Sequence, residues 1–224
     1  MRDADAVIRL VMVEDQPSIL QKQQRLLDPF EPVMDYERSK WAAEHEVLQE
    51  VVRGLDAVIV NPSAIVGPWD FKPSNVGRTI LDFASQRMPA FVPGAFDWVP
   101  VDSVVAGMLA AMDRGQTGER YLLSGEVLTI DEILDLLATL TDGRRPALRL
   151  PPTFMRGIAL AKDWVQERAL PEKQPRFNYQ SIRILNSGKA GDCKKAQREL
   201  GYVPGSVRDA FRDAVRWFRD YGYL

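Results

Sequence analysis

Apolar residues lie along this chain in short blocks set between longer stretches of helical periodicity. Ala6 to Val13 is a brief, β-branched and almost unbroken apolar run, the pattern of a strand buried on both faces in a parallel sheet. Between Asp35 and about Arg53, the residues Trp41, Ala42, His45, Leu48 and Val52 recur at three- and four-residue steps, and Gly54 follows. That spacing predicts a long helix with its sheet-facing stripe on those positions and a stop at the glycine. Ala57 to Val60 repeats the buried-strand pattern and runs into Asn61-Pro62-Ser63, where the proline is expected to end ladder pairing and turn the chain. Strand, crossover helix and second strand of these lengths compose a βαβ unit.

Downstream, the pattern predicts a helix over 75–87, extended pieces around Phe91 and over 98–101, and a helix to Met112 with Asp102 as its N-cap. A strand over 121–124, a helix opened by Thr129 or Asp131 and running to about Leu140, and a strand over 147–150 follow. The last third reads as helices over 154–167, 193–200 and 207–221. The stretch from Glu14 to Pro32 is polar and irregular, a connection with at most one helical turn. The order implies an α/β fold, a truncated Rossmann-like parallel sheet with a C-terminal helix-rich substrate-binding cap. The expected division is a partial Rossmann-like domain over 1–124 and an interleaved cap over 125–224.

Composition narrows the function classes. The 29 basic residues against 31 acidic ones give a formal charge of -2, which supplies no field for nucleic acid or an anionic membrane. A small-molecule substrate, a sugar or an alcohol/ketone, is the expected partner. One cysteine, Cys193, forms no internal disulfide, and with a single histidine the chain shows no metal-ligand pattern. These features, and the lack of an apolar stretch near the ~20 residues that span a bilayer, predict a cytoplasmic protein without membrane insertion.

The chemistry-bearing feature is Tyr36 with Lys40. Four residues apart on a helix, they share one face with a rise of ~6 Å and are able to address one ligand. A phenol, with a reference pKa near 10, works poorly at neutral pH. A neighbouring ammonium supplies part of the roughly 4 kcal/mol needed to bring it to ~7. The pairing arises easily by chance, and its weight comes from context: a buried strand before it, and after it a strand ending in Asn61-Pro62-Ser63 at the carboxyl edge, where α/β sheets place ligands.

Four ordered segments then carry a resemblance: the Asp35-Tyr36-Glu37-Arg38-Ser39-Lys40 helix start, the run from Val58 to Pro68, the run from Trp98 to Gly107, and Lys195 to Pro204. Together they resemble the extended short-chain dehydrogenase/reductase superfamily, the NAD-dependent epimerase/dehydratase family, and within it the dihydroflavonol-reductase-like and hopanoid-associated sugar-epimerase-like branch. The resemblance implies an NAD- or NADP-dependent epimerase, dehydratase or ketone reductase. Tyr36 would be its acid/base and Lys40 the partner that also bonds the cofactor ribose, with Asn61, Pro62 and Ser63 beside the nicotinamide. His45 is read as structural, and the Lys194, Lys195 and Arg198 cluster as a solvated helix face.

Two departures qualify what the resemblance implies. The family's glycine-rich phosphate turn has no counterpart, since the first glycine of this chain is Gly54. Where the family places a hydroxyl-bearing run, this chain has Val13-Glu14-Asp15; an ionised Asp15 accepts rather than donates, and Ser18 is the nearest hydroxyl. A sheet without its first half presents an open edge, to be covered by a second copy or a partner chain. A truncated start, a partner that completes the site, and a catalytically silent scaffold or binding protein are the open accounts, and activity from this chain alone is expected to be impaired.

Overall fold

A computed structural model describes residues 10–13, 35–151 and 190–224. The chain is α/β and divides into two compact units. The first gathers residues 1–65, 99–125 and 191–205, and the second gathers 66–98, 126–190 and 206–224.

The first unit is built on strand β2 (Ala57–Pro62), all six of whose residues are buried. It lies between β1 (Leu10–Val13) and β6 (Arg120–Leu123) in a parallel sheet. Leu10 pairs with Ala57 and Val13 with Val60 on one side; Ile59 pairs with Arg120 and Pro62 with Leu123 on the other. Alternation along the strand sends its side chains to two helical layers. Ala57 and Ile59 pack with Val47, Leu48 and Val51 of helix α1 (Asp35–Val52). Val58 and Val60 face the other way, into a core with Val104 and Ala111 of α3 (Val101–Arg114), Ala196 and Leu200 of α5 (Lys194–Leu200), Tyr121, Leu123 and Tyr202. Gly107 lets α3 approach β6, because a Cβ there would meet the Leu123 side chain and the Tyr202 ring. Tyr202 also donates its hydroxyl to the Ser124 carbonyl at 3.0 Å, and the Ser124 hydroxyl donates to the Gly191 carbonyl at 2.9 Å.

In the second unit, β5 (Ala95–Pro100) pairs antiparallel with β7 (Glu126–Thr129), Ala95 opposite Thr129 and Trp98 opposite Glu126. The short strands β4 (Ala90–Phe91) and β8 (Leu148–Arg149) pair in parallel. Helices α2 (Asn75–Ala84), α4 (Ile130–Leu140) and α6 (Val207–Asp220) pack on one another, burying Ile80 and Phe83, Leu134 and Leu137, and Phe211 and Phe218. Thr129 caps α4 in a full capping box: its hydroxyl accepts from the Glu132 amide at 3.1 Å, and the Glu132 carboxylate accepts from the Thr129 amide at 2.8 Å. β3 (Ala64–Val66) leads the chain from one unit toward the other.

Several expectations are corrected. The buried stripe of α1 runs through Glu44 and Val47 with Leu48 and Val51 beside them, while Trp41, His45 and Val52 are exposed. A buried carboxylate in the stripe disguised the true face. Pro62 is, as expected, the last residue of β2, where it pairs with Leu123. Ile59 and Ser63 donate their amides to the carbonyls of Glu119 and Leu123, both at 3.0 Å, so the proline falls in the opposite phase, facing the side where β1 has already stopped at Val13. Asp102 is not the cap. The cap position is Pro100, without a side-chain bond, and Asp102 sits in the first turn, where its charge favours the positive helix end. Helix α2 stops at Ala84, and β3 and β7 are strands the pattern did not reveal. The part of the first expected strand before Leu10, the connection over 14–32 and the helix expected over 154–167 lie outside the described residues.

Two outcomes follow. Gly107→Ala is expected to destabilise the chain by roughly 1–3 kcal/mol in chemical denaturation, since Leu123 and Tyr202 must both shift to admit the methyl group. Thr129→Ala is expected to cost about 1 kcal/mol near neutral pH. The amide and then the hydroxyl of Thr129 hold the Glu132 carboxyl below the usual carboxylate range, with the Arg208 charge adding to the effect. A folded-state pKa below the unfolded one stabilises above the ordinary glutamate range and loses that contribution as pH falls through the folded value. The stability gap between wild type and Thr129→Ala, measured by urea unfolding, is therefore expected to narrow on acidification to about pH 3.

Candidate functional site at the carboxyl edge of strand β2

Helix α1 runs antiparallel to β2, so each step toward its N-terminus moves toward the carboxyl end of the strand. Val47 packs beside Ala57 and Ile59, and Glu44, one turn earlier, reaches Asn61. Lys40 is one further turn along, and Tyr36 one more, in the first turn of the helix. By helix geometry each step is ~6 Å. The stripe that begins in hydrophobic core therefore continues past the end of the strand with the Tyr-x-x-x-Lys pair. Lys40 is half-buried, and Tyr36 is placed by the helix backbone. Asn61 and Pro62 close β2, with Ser63 immediately after, and all three are buried.

The polar groups here are unevenly satisfied. The Glu44 side chain is only 3% exposed; its carboxylate pairs with Arg120, the first residue of β6, at 3.1 Å, and lies 3.4 Å from the Asn61 Nδ2. Asn61 Oδ1 and Ser63 Oγ are buried and have no hydrogen-bond partner among the described residues. Each such group costs on the order of 1–3 kcal/mol of lost hydration. Two of them, two residues apart at a sheet's carboxyl edge, suit a ligand with N–H or O–H groups to offer. A nicotinamide cofactor's carboxamide is of that kind, so the residues present fit the group implied by the sequence resemblance.

The structure thus places Lys40, Asn61, Pro62 and Ser63 at one edge of one unit, with the Tyr36 backbone on the same helix stripe. Asp15 and Ser18 lie outside the described residues. His45 points away from the stripe, exposed, its ring stacked on Trp41 at 5.3 Å. Lys195 is not part of a solvated face. Its ammonium pairs with Glu119, donates to the Arg120 carbonyl at 3.1 Å and sits 4.6 Å from the Tyr121 ring centroid, so it staples α5 to β6. Glu44 and Arg120 were missed by sequence reasoning. The signal available for Glu44 was its position, four residues after Lys40 on the same face.

Residues 12–124 match the family model of the NAD-dependent epimerase/dehydratase family. The chain belongs to that family. The matched span contains the candidate residues just described, from Tyr36 through Ser63 to Arg120. The chain is 61% identical over 198 residues to sterol demethylase protein B of Methylococcus capsulatus, which covers 88% of this chain and 60% of that relative. It is 37% identical to a putative dihydroflavonol 4-reductase of Synechocystis, over 84% of this chain and 56% of the relative. A nucleoside-diphosphate-sugar epimerase from Pseudomonas aeruginosa superposes with a TM-score of 0.75 at 25% identity, over 97% of this chain and 68% of that one. The chain accordingly spans 60% and 56% of the length of these two curated relatives.

The uncompensated hydroxyl has a measurable consequence. Ser63→Ala removes a buried polar atom that has no partner, and is expected to raise stability by about 1 kcal/mol in urea unfolding. A loss of similar size would mean that Ser63 Oγ is bonded in solution.

Proposed function

We propose that this chain carries the acid–base portion of an NAD(P)-dependent oxidoreductase site. The supporting observation is the continuation of the Val47–Glu44 stripe past the end of β2, which brings the Lys40 turn to the edge where Asn61 Oδ1 and Ser63 Oγ stand unsatisfied. In this reading Tyr36 gives a proton to, or takes one from, a substrate oxygen. Lys40 lowers the cost of the phenolate by its charge and bonds the cofactor ribose. Asn61, Pro62 and Ser63 hold the nicotinamide end. The cofactor, when bound, supplies hydride transfer at the carbon bearing that oxygen.

For the substrate, the 61% identity to a sterol demethylase component favours a ring-bearing alcohol or ketone over a nucleotide sugar. A sterol alcohol or ketone is the substrate class this reading favours. A second reading is supported by a separate observation: the chain spans 60% of the sterol demethylase relative, and its own residues before Tyr36 include no glycine. In that reading the chain is a scaffold that binds nucleotide only when another chain supplies the phosphate cradle.

Titration calorimetry with NAD, NADH, NADP and NADPH separates the two. Binding in the micromolar range, weakened at least about tenfold by Lys40→Ala, is the expected result of the oxidoreductase reading. Tyr36→Phe is expected to leave that affinity within a few-fold while abolishing hydride exchange with a sterol ketone. No binding of any of the four nucleotides would leave the scaffold reading standing.

A further inference from the structure

We infer that Glu44 is a positioning residue of this site, one that touches no ligand but fixes how Asn61 and Lys40 meet it. An ionised carboxylate only accepts hydrogen bonds, so the Asn61 carboxamide must turn its Nδ2 toward Glu44. The planar amide then directs Oδ1 to the other side, where it has no partner among the described residues. Arg120 makes this orientation dependable. Its guanidinium, 3.1 Å from Glu44, offsets the cost of an ion that is otherwise enclosed. Because Glu44 and Lys40 are one turn apart on a single helix, the contact that orients Asn61 also sets the height of Lys40 against the end of β2.

The purpose of the arrangement follows from what it leaves open. A buried carbonyl oxygen turned out of its own network accepts from a ligand N–H, and the neighbouring Ser63 hydroxyl is free to do the same or to donate. A ligand presenting a primary carboxamide satisfies Asn61 Oδ1, and the inference rests on the nicotinamide reading for that identity. A glutamine at position 44 would fill the same volume but would both donate and accept, so it would let the Asn61 carboxamide turn over. The charge, not the shape, of Glu44 carries the specification.

Two measurements test this. In ¹⁵N-labelled protein, hydrogen exchange of the Asn61 side-chain amide is expected to quicken at least about tenfold in Glu44→Gln. Unchanged exchange overturns the inference. In calorimetry with NADH and NADPH, Glu44→Gln is expected to weaken binding about tenfold. Glu50→Gln, an exposed change on the same helix that removes only the Arg53 pair, is expected to leave binding unchanged. Equal losses in both variants would mean a general weakening of the helix and would also overturn it. If Glu44→Gln does not fold, Arg120→Gln, which strips the counter-charge from a partly exposed position, carries the same two measurements. If the unaltered chain binds neither nucleotide, the cofactor reading fails, and the exchange measurement still decides whether Glu44 orients Asn61.

Discussion

Burial of β2 on both faces is the constraint from which the rest of the first unit follows. A six-residue strand with no exposed side needs a helical layer on each face and a strand on each edge, and it obtains all four: α1, the α3–α5 pair, β1 and β6. Once the even-numbered side chains are committed to the α3–α5 core, the odd-numbered ones must go to α1. The odd series ends in Asn61 and Ser63 rather than in another hydrophobe. Polar groups are thereby carried to the limit of the core, and the helix that meets them there must also bring polar groups. Glu44 and Lys40 are the side chains it brings.

Electrostatics at that limit are arranged in depth. The deepest member, Glu44, is enclosed and neutralised by a guanidinium reaching in from the first residue of β6. Asn61 stands next, satisfied on one side only, and Lys40 is nearer the solvent. Such a gradient keeps the charged pair from drawing water into the core, while leaving unmet hydrogen-bonding capacity at the rim.

Much of this was legible in the sequence, for identifiable reasons. Strand β2 announced itself because buried parallel strands are written as unbroken apolar runs rich in β-branched residues, β6 by the short apolar run from Tyr121 to Leu123, and α1 because Gly54 follows its end. The start of α4 came from Thr129, one of two residues the sequence offered for its opening, whose capping chemistry is local. The orientation of α1 was misread because hydrophobicity was the guide and the buried stripe contains a glutamate, while a tryptophan and a histidine stack on each other outside. Only the position of Arg120, 76 residues away, makes a buried Glu44 sensible, and a single sequence does not reveal such a pair. Asp102 was misassigned because the cap position is Pro100, which lacks a capping side chain, two residues earlier than polarity alone suggests. β3 was not read as a strand because it follows directly on Asn61-Pro62-Ser63, which reads as a turn, and β7 because its four residues hold only two apolar side chains between a glutamate and a threonine.

The path of the chain through the first unit has a consequence for its synthesis. The layer that closes one face of β2 is completed by Ala196, Leu200 and Tyr202, which lie near the end of the sequence, and the intervening stretch belongs mostly to the other unit. A ribosome adding ~5–20 residues per second exposes the apolar face of β2 long before its cover emerges. The first unit cannot close as an independent block before that distant cover has been made. Its closure rests on contacts of large sequence separation, which form later than local ones and leave the nascent sheet exposed in the meantime.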